Sequence, residues 1–121
     1  SLEIIKKIYI SQNYEETYSQ YISLLNNNNI DSLYKSLIAI NASYDLINYL
    51  DNEKIIKLLS YTDDSIESFI GYKKEILFLL SLLNQSKNDK ESLYNEIIND
   101  EKISSSIKSR VKKIYDFEKY N

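Results

Sequence analysis

The side chains here with the means to do chemistry are carboxylates, and they come as neighbours: Glu15-Glu16, Asp63-Asp64 with Glu67, and Asp100-Glu101. Acid–base work by a carboxylate pair needs both groups aimed at one substrate. Adjacent residues on a helix diverge by about 100°, so neither Glu15-Glu16 nor Asp100-Glu101 converges. The Asp63-Asp64-Glu67 cluster could offer oxygens to Ca²⁺ or Mg²⁺, but it lacks EF-hand spacing and a glycine turn. Helix capping accounts for all three residues, with Asp64 and Glu67 at capping-box spacing. The chain has no His and no Cys. The commonest general base, the thiolate nucleophile and the usual ligands of zinc, copper and iron are therefore missing. A phosphate-cradling loop cannot be built from the single glycine, Gly71. The expectation is a non-enzymatic chain that uses no metal and no cofactor.

Charge points instead to binding. The net charge is −3 with one arginine, Arg110, which argues against a nucleic-acid partner met through bulk attraction. The charge is uneven. Nine acidic and three basic residues lie between Tyr14 and Ile70, whereas Lys102, Lys108, Arg110, Lys112, Lys113 and Lys119 outnumber Glu101, Asp116 and Glu118 towards the end. Such a segment is either a docking helix for an acidic partner or a solvated face complementing the acidic half of the same chain. Twelve tyrosines add to the first reading, because exposed tyrosine is favoured at protein interfaces. The candidate partner-binding residues are Lys108, Arg110, Lys112, Lys113 and Tyr120.

These residues need a scaffold, and the spacing of apolar residues predicts an all-α one. With no proline and one glycine, hairpin punctuation is nearly absent. Ile76–Leu83 is apolar at seven of eight positions, so a helix through it has no solvent face and must be surrounded. The stretch is far shorter than the roughly 20 residues a bilayer span takes, and no membrane contact is expected of the domain itself. About six helices are predicted around this central one, as a single domain over residues 1–121. The first runs over 2–25, either bent at Ser11-Gln12-Asn13, where Asn13 and Glu16 have capping-box spacing, or straight with a wide apolar face. Asn26–Asn29 is a loop. The second covers Asp31–Leu50, its core seam being Ile30, Leu33, Leu37, Ile40, Tyr44 and Ile47. Asp51 or Asn52 caps a short third helix that stops near Ser60. Thr62-Asp63-Asp64 opens the central helix, with Lys73 snorkelling from its rim and Gly71 marking a kink or a close neighbour. Asn88 with Glu91 starts the fifth, and Asn99-Asp100 the last, whose seam is Ile103, Ile107, Val111 and Ile114.

One local match carries a family resemblance. Lys6-Lys7 followed by Ile8-Tyr9-Ile10-Ser11-Gln12-Asn13-Tyr14-Glu15 resembles the basic–Ile-Tyr-Ser-Ser-Leu-Asn-Tyr-acidic segment of the helical outer-surface lipoproteins of Borrelia that acquire complement regulators. Tyr9, Ser11, Asn13 and Tyr14 match, while Ile10 and Gln12 depart. The stretch from Glu91-Ser92-Leu93 to Lys112-Lys113-Ile114-Tyr115 looks loosely like the family's closing helices. The resemblance covers about twenty residues. It implies an all-helical surface lipoprotein, anchored through a lipidated segment upstream of Ser1, that binds a host serum protein in immune evasion. It names no binding residue. Two intracellular adaptor classes are also similar. Tyr72–Leu83 looks like the central helix of poxviral Bcl-2-like proteins, though Trp, Cys and their groove's Gly-Arg pair are missing. Lys73–Asn88 with Ile107–Asn121 looks like part of the CTD-interacting domain, whose ligand-reading Asp would fall near Ser81 or Leu82. Either implies a cytoplasmic location and a helix or peptide as partner.

Overall fold

The computed structural model describes residues 13–84 and 86–120. Among them are six α-helices and no strand: α1 (Tyr14–Leu25), α2 (Ser32–Leu46), α3 (Asn52–Leu59), α4 (Glu67–Leu83), α5 (Lys87–Asn99) and α6 (Ser105–Lys119). The part of the first expected helix over residues 2–12, and most of the Ile8–Glu15 match, lie outside the described residues. The contacts divide the chain between Asp63 and Asp64 into two compact units, α1–α3 and α4–α6.

In the first unit α1 packs on α2, and α2 on α3. The expected capping box is present at α1. The Asn13 side chain accepts the Glu16 N–H at 3.2 Å and its amide donates to the Glu16 carboxylate at 2.8 Å. Asp31 and Asp51 cap α2 and α3 in the same way, accepting from Tyr34 N and Lys54 N at 2.9 and 3.1 Å. Helix α2 ends at Leu46, four residues before the expected Leu50, and its buried face matches the expected seam only in part. Ile40 and Ile47 of that seam are buried, but Leu33 and Leu37 are 58% and 47% exposed, and Ser36, Ile38, Ala39, Ala42, Ser43 and Leu46 are buried as well. The inward face thus mixes Ile38, Ile40 and Leu46 with small residues, beside which a neighbouring helix can come close. The Ser36 and Ser43 hydroxyls are satisfied by donating to the carbonyls four residues back, at 2.8 and 2.7 Å.

The second unit is three helices with every pair in contact. Phe78, Ile97, Ile103, Ile107 and Val111 form its core. Within the Ile76–Leu83 stretch of α4, residues 76–82 are all buried or half-buried, and Leu83 at the helix end is exposed. The all-round apolar stretch thus lacks a solvent face until its last residue. Gly71 marks a close approach. A Cβ there would stand 2.9 Å from Ile107 Cδ1 and 3.4 Å from Ile103 Cγ2, so α6 is seated where α4 has no side chain. Lys73 lies on the rim as expected, paired with Asp64 at 3.0 Å.

The starts of these three helices differ from the expected ones. Ile66, not Asp64, is the N-cap of α4 and supplies no side-chain bond. Ser86, not Asn88, is the N-cap of α5, its hydroxyl donating to Asp89 at 2.6 Å. Ser104 caps α6 by accepting the Ile107 N–H at 3.3 Å. Asp100 instead closes the preceding turn by accepting the Lys102 N–H at 2.9 Å.

Candidate functional site

At least one carboxylate of each cluster is held by a structural contact. Glu15 pairs with Lys54, Glu16 holds the Asn13 amide, and Asp100 pairs with Lys74 at 3.4 Å. Asp63 uses its backbone N–H to reach Ser36 Oγ at 2.8 Å, while the Asp64 carboxylate takes Lys73. Among the described residues no group of three or more acidic side chains could hold a metal ion.

The five candidate binding residues all belong to α6 or its C-cap. Its inward face is Ile107 and Val111, with Ile114 and Tyr115 half-buried beside them. At 3.6 residues per turn this leaves two outward rows. One carries Arg110, Lys113, Phe117 and Tyr120. The other, on the flank next to α5, carries Lys108, Lys112, Tyr115 and Lys119 at spacings of four, three and four.

The first row is aromatic and basic. Phe117 is 67% exposed and Tyr120, the C-cap, is 83% exposed. Arg110 differs from its neighbours. Its Nε and Nη2 donate to the two oxygens of Glu75 at 2.9 and 2.8 Å, and that carboxylate is 3% exposed. The guanidinium therefore neutralises a buried charge of α4. Lys112, Lys113 and Lys119 are exposed and make no ion pair among the described residues. By contrast Lys74, on α4, reaches Glu96 at 2.9 Å as well as Asp100.

The second row is held by Tyr115. Its ring stacks on Tyr94 of α5 with centroids 3.8 Å apart and planes 11° apart, and its hydroxyl donates to Glu91 Oε2 at 2.6 Å. The negative Glu91 beside it, with partial burial, holds the Tyr115 proton on beyond the ordinary tyrosine range. Lys90 Nζ stands 6.0 Å over the same ring. Lys90, Glu91, Tyr115, Glu118 and Lys119 line a recess of about 290 Å³.

Of the residues expected from sequence, Lys112, Lys113 and Tyr120 form the exposed surface, Lys108 is half-buried on the second row, and Arg110 is committed to Glu75. Phe117, Lys119 and the α5 side of the recess were not among them. A signal for Phe117 exists, because the seam through Ile107, Val111 and Ile114 continues to position 118 and leaves an aromatic at 117 facing out.

The chain matches no protein-family profile, no curated protein and no solved structure. Among the described residues no helix is long and apolar enough to cross a membrane.

Proposed function

We propose that this chain is a protein-binding module without a catalytic role, and that the outward face of α6 is its docking surface. The observation that carries the reading is the exposure of Phe117 and Tyr120, 67% and 83%, beside lysines that find no carboxylate among the described residues. Aromatic anchors ringed by cations are the composition of interface hot spots, where an aromatic ring enters a pocket and charge orients the approach. The Ile8–Glu15 resemblance adds the rest. The partner is a host serum protein such as a complement regulator, and the module sits on a bacterial surface through a lipid anchor. Within that match Asn13 serves as a helix cap and Tyr14 stacks on Tyr49 at 4.0 Å, which supports α6 as the source of binding residues.

The test is capture by the immobilised protein from serum and, in parallel, from cell lysate. It uses the wild type and Phe117→Ala/Tyr120→Ala, both checked for helical circular dichroism. The expected result is one serum protein retained by the wild type and reduced at least tenfold by the variant. Retention from lysate alone would overturn the surface-lipoprotein reading in favour of an intracellular adaptor. Equal retention by the two proteins would overturn α6 as the docking face.

A further inference from the structure

Resting on the docking reading above, we propose that the second row of α6, Lys108, Lys112 and Lys119 with Lys90 of α5, reads an acidic segment of the protein partner. One partner carboxylate is seated in the recess between Lys90 and Lys119. The row spans eleven residues, about 16 Å along the helix, enough to meet three turns of a helical segment or a short extended one. None of the four lysines makes an ion pair among the described residues, although Glu91 and Glu118 line the same recess as two of them. Lys108 and Lys112 stand one turn apart, a like-charge spacing that costs an isolated helix a few tenths of a kcal/mol. An anion from outside would relieve that repulsion. The recess is also shaped in advance. Tyr115, stacked on Tyr94 and tied to Glu91, fixes its floor, so a partner group entering it orders little that is not already ordered.

The interspersed carboxylates choose the class of ligand. Glu91, Asp116 and Glu118 stand among the cations. A nucleic-acid duplex, with one charge per about 1.7 Å, or an anionic lipid surface would press negative charge onto all three. A protein segment sets its carboxylates singly and can place apolar or basic groups against Glu118, so mixed charge on one side calls for mixed charge on the other.

The test uses a fluorescent twelve-residue peptide rich in Glu and Leu and its Glu→Gln counterpart. Vesicles with phosphatidylserine and a short DNA duplex serve as competing ligands. The expected result is saturable binding of the acidic peptide alone, weakened at least tenfold by Lys112→Glu/Lys119→Glu. The milder Lys112→Gln/Lys119→Gln should weaken it less, and Lys102→Glu, on the turn before α6, should not. Absence of peptide binding, equal binding of the Gln peptide, or a preference for vesicles or DNA would overturn the proposal. With the captured partner in hand the two readings separate. Loss in Phe117→Ala/Tyr120→Ala with no change in Lys112→Glu/Lys119→Glu would sink the lysine row and leave the docking face standing. The reverse would leave the row and sink the aromatic face.

Discussion

Arg110 illustrates how a residue's surroundings decide its role. By type and position it belongs to the basic face, yet its Nε and Nη2 both donate to the buried Glu75 carboxylate. Arg110→Ala would strip a bidentate cation from a nearly inaccessible charge, and the loss should be about 3 kcal/mol, the lower end for a broken buried pair because the guanidinium is half exposed. Lys113→Ala should stay within about 0.5 kcal/mol. Urea midpoints of the two variants check this, and equal midpoints would mean that Glu75 does not rely on Arg110. Lys74 gives a pH signature. Its amine is raised, chiefly by its bond to Glu96, and Asp100 is lowered, chiefly by the Lys102 N–H and then by Lys74. A lowered carboxylate contributes stability that is present above about pH 4 and is lost as pH falls through its folded value. A raised amine contributes stability that is present below about pH 10 and is lost as pH rises through its folded value. Stability should therefore form a plateau that falls at both ends. Lys74→Met should remove its share of the alkaline fall and keep part of the acid one, since the Lys102 N–H still holds Asp100. A pH profile unchanged by the substitution would refute this account.

Helices are legible where polar and apolar signals agree, and their starts shift where a linker holds competing caps two or more positions apart. Asn13, Asp31 and Asp51 each cap their helix, although Asp51 has Asn52 beside it as a rival. The linker before α5 offers Ser86 as well as Asn88, and the one before α6 offers Asp100 as well as Ser104. Spacing alone cannot choose among these, because the register is set by packing of the helix that follows. Asp51→Ala should cost about 1 kcal/mol as a lost cap, whereas Asp64→Ala, which caps nothing, should stay within about 0.5 kcal/mol. A larger loss for Asp64 in thermal unfolding would reinstate it as a cap. The face of α2 is legible only in part, for a different reason. Periodicity of large apolar residues places Ile40 and Ile47 correctly but also favours Leu33 and Leu37, while the buried side is completed by Ile38, Ala39, Ala42 and the two serines, which a pattern of large residues does not mark. At the site, the basic residues were legible from composition. The Tyr94–Tyr115 stack and the recess were not, because they depend on how α5 and α6 cross.

At the scale of the whole chain, the net charge of −3 conceals its arrangement, since α6 carries Lys108, Arg110, Lys112, Lys113 and Lys119 against Asp116 and Glu118. Arg110 is spent internally, but the four lysines still project positive potential from one face of a negative protein. Beyond any contact the lysines make in the complex, such a field acts on encounter. It speeds the approach of a complementary surface, and salt removes the gain. Between about 0.01 M and 1 M salt the Debye length falls from about 30 Å to about 3 Å, shorter than the lysine row itself. The association rate with an acidic protein partner should fall by about tenfold or more over that range, while the dissociation rate, governed by the buried aromatic contacts, changes much less. Lys112→Glu/Lys113→Glu should start from a slower association rate and show little further loss with salt. Stopped-flow or surface-binding kinetics at graded salt would measure both rates. A salt effect confined to dissociation, or one that survives the double substitution unchanged, would show that α6 does not steer the partner.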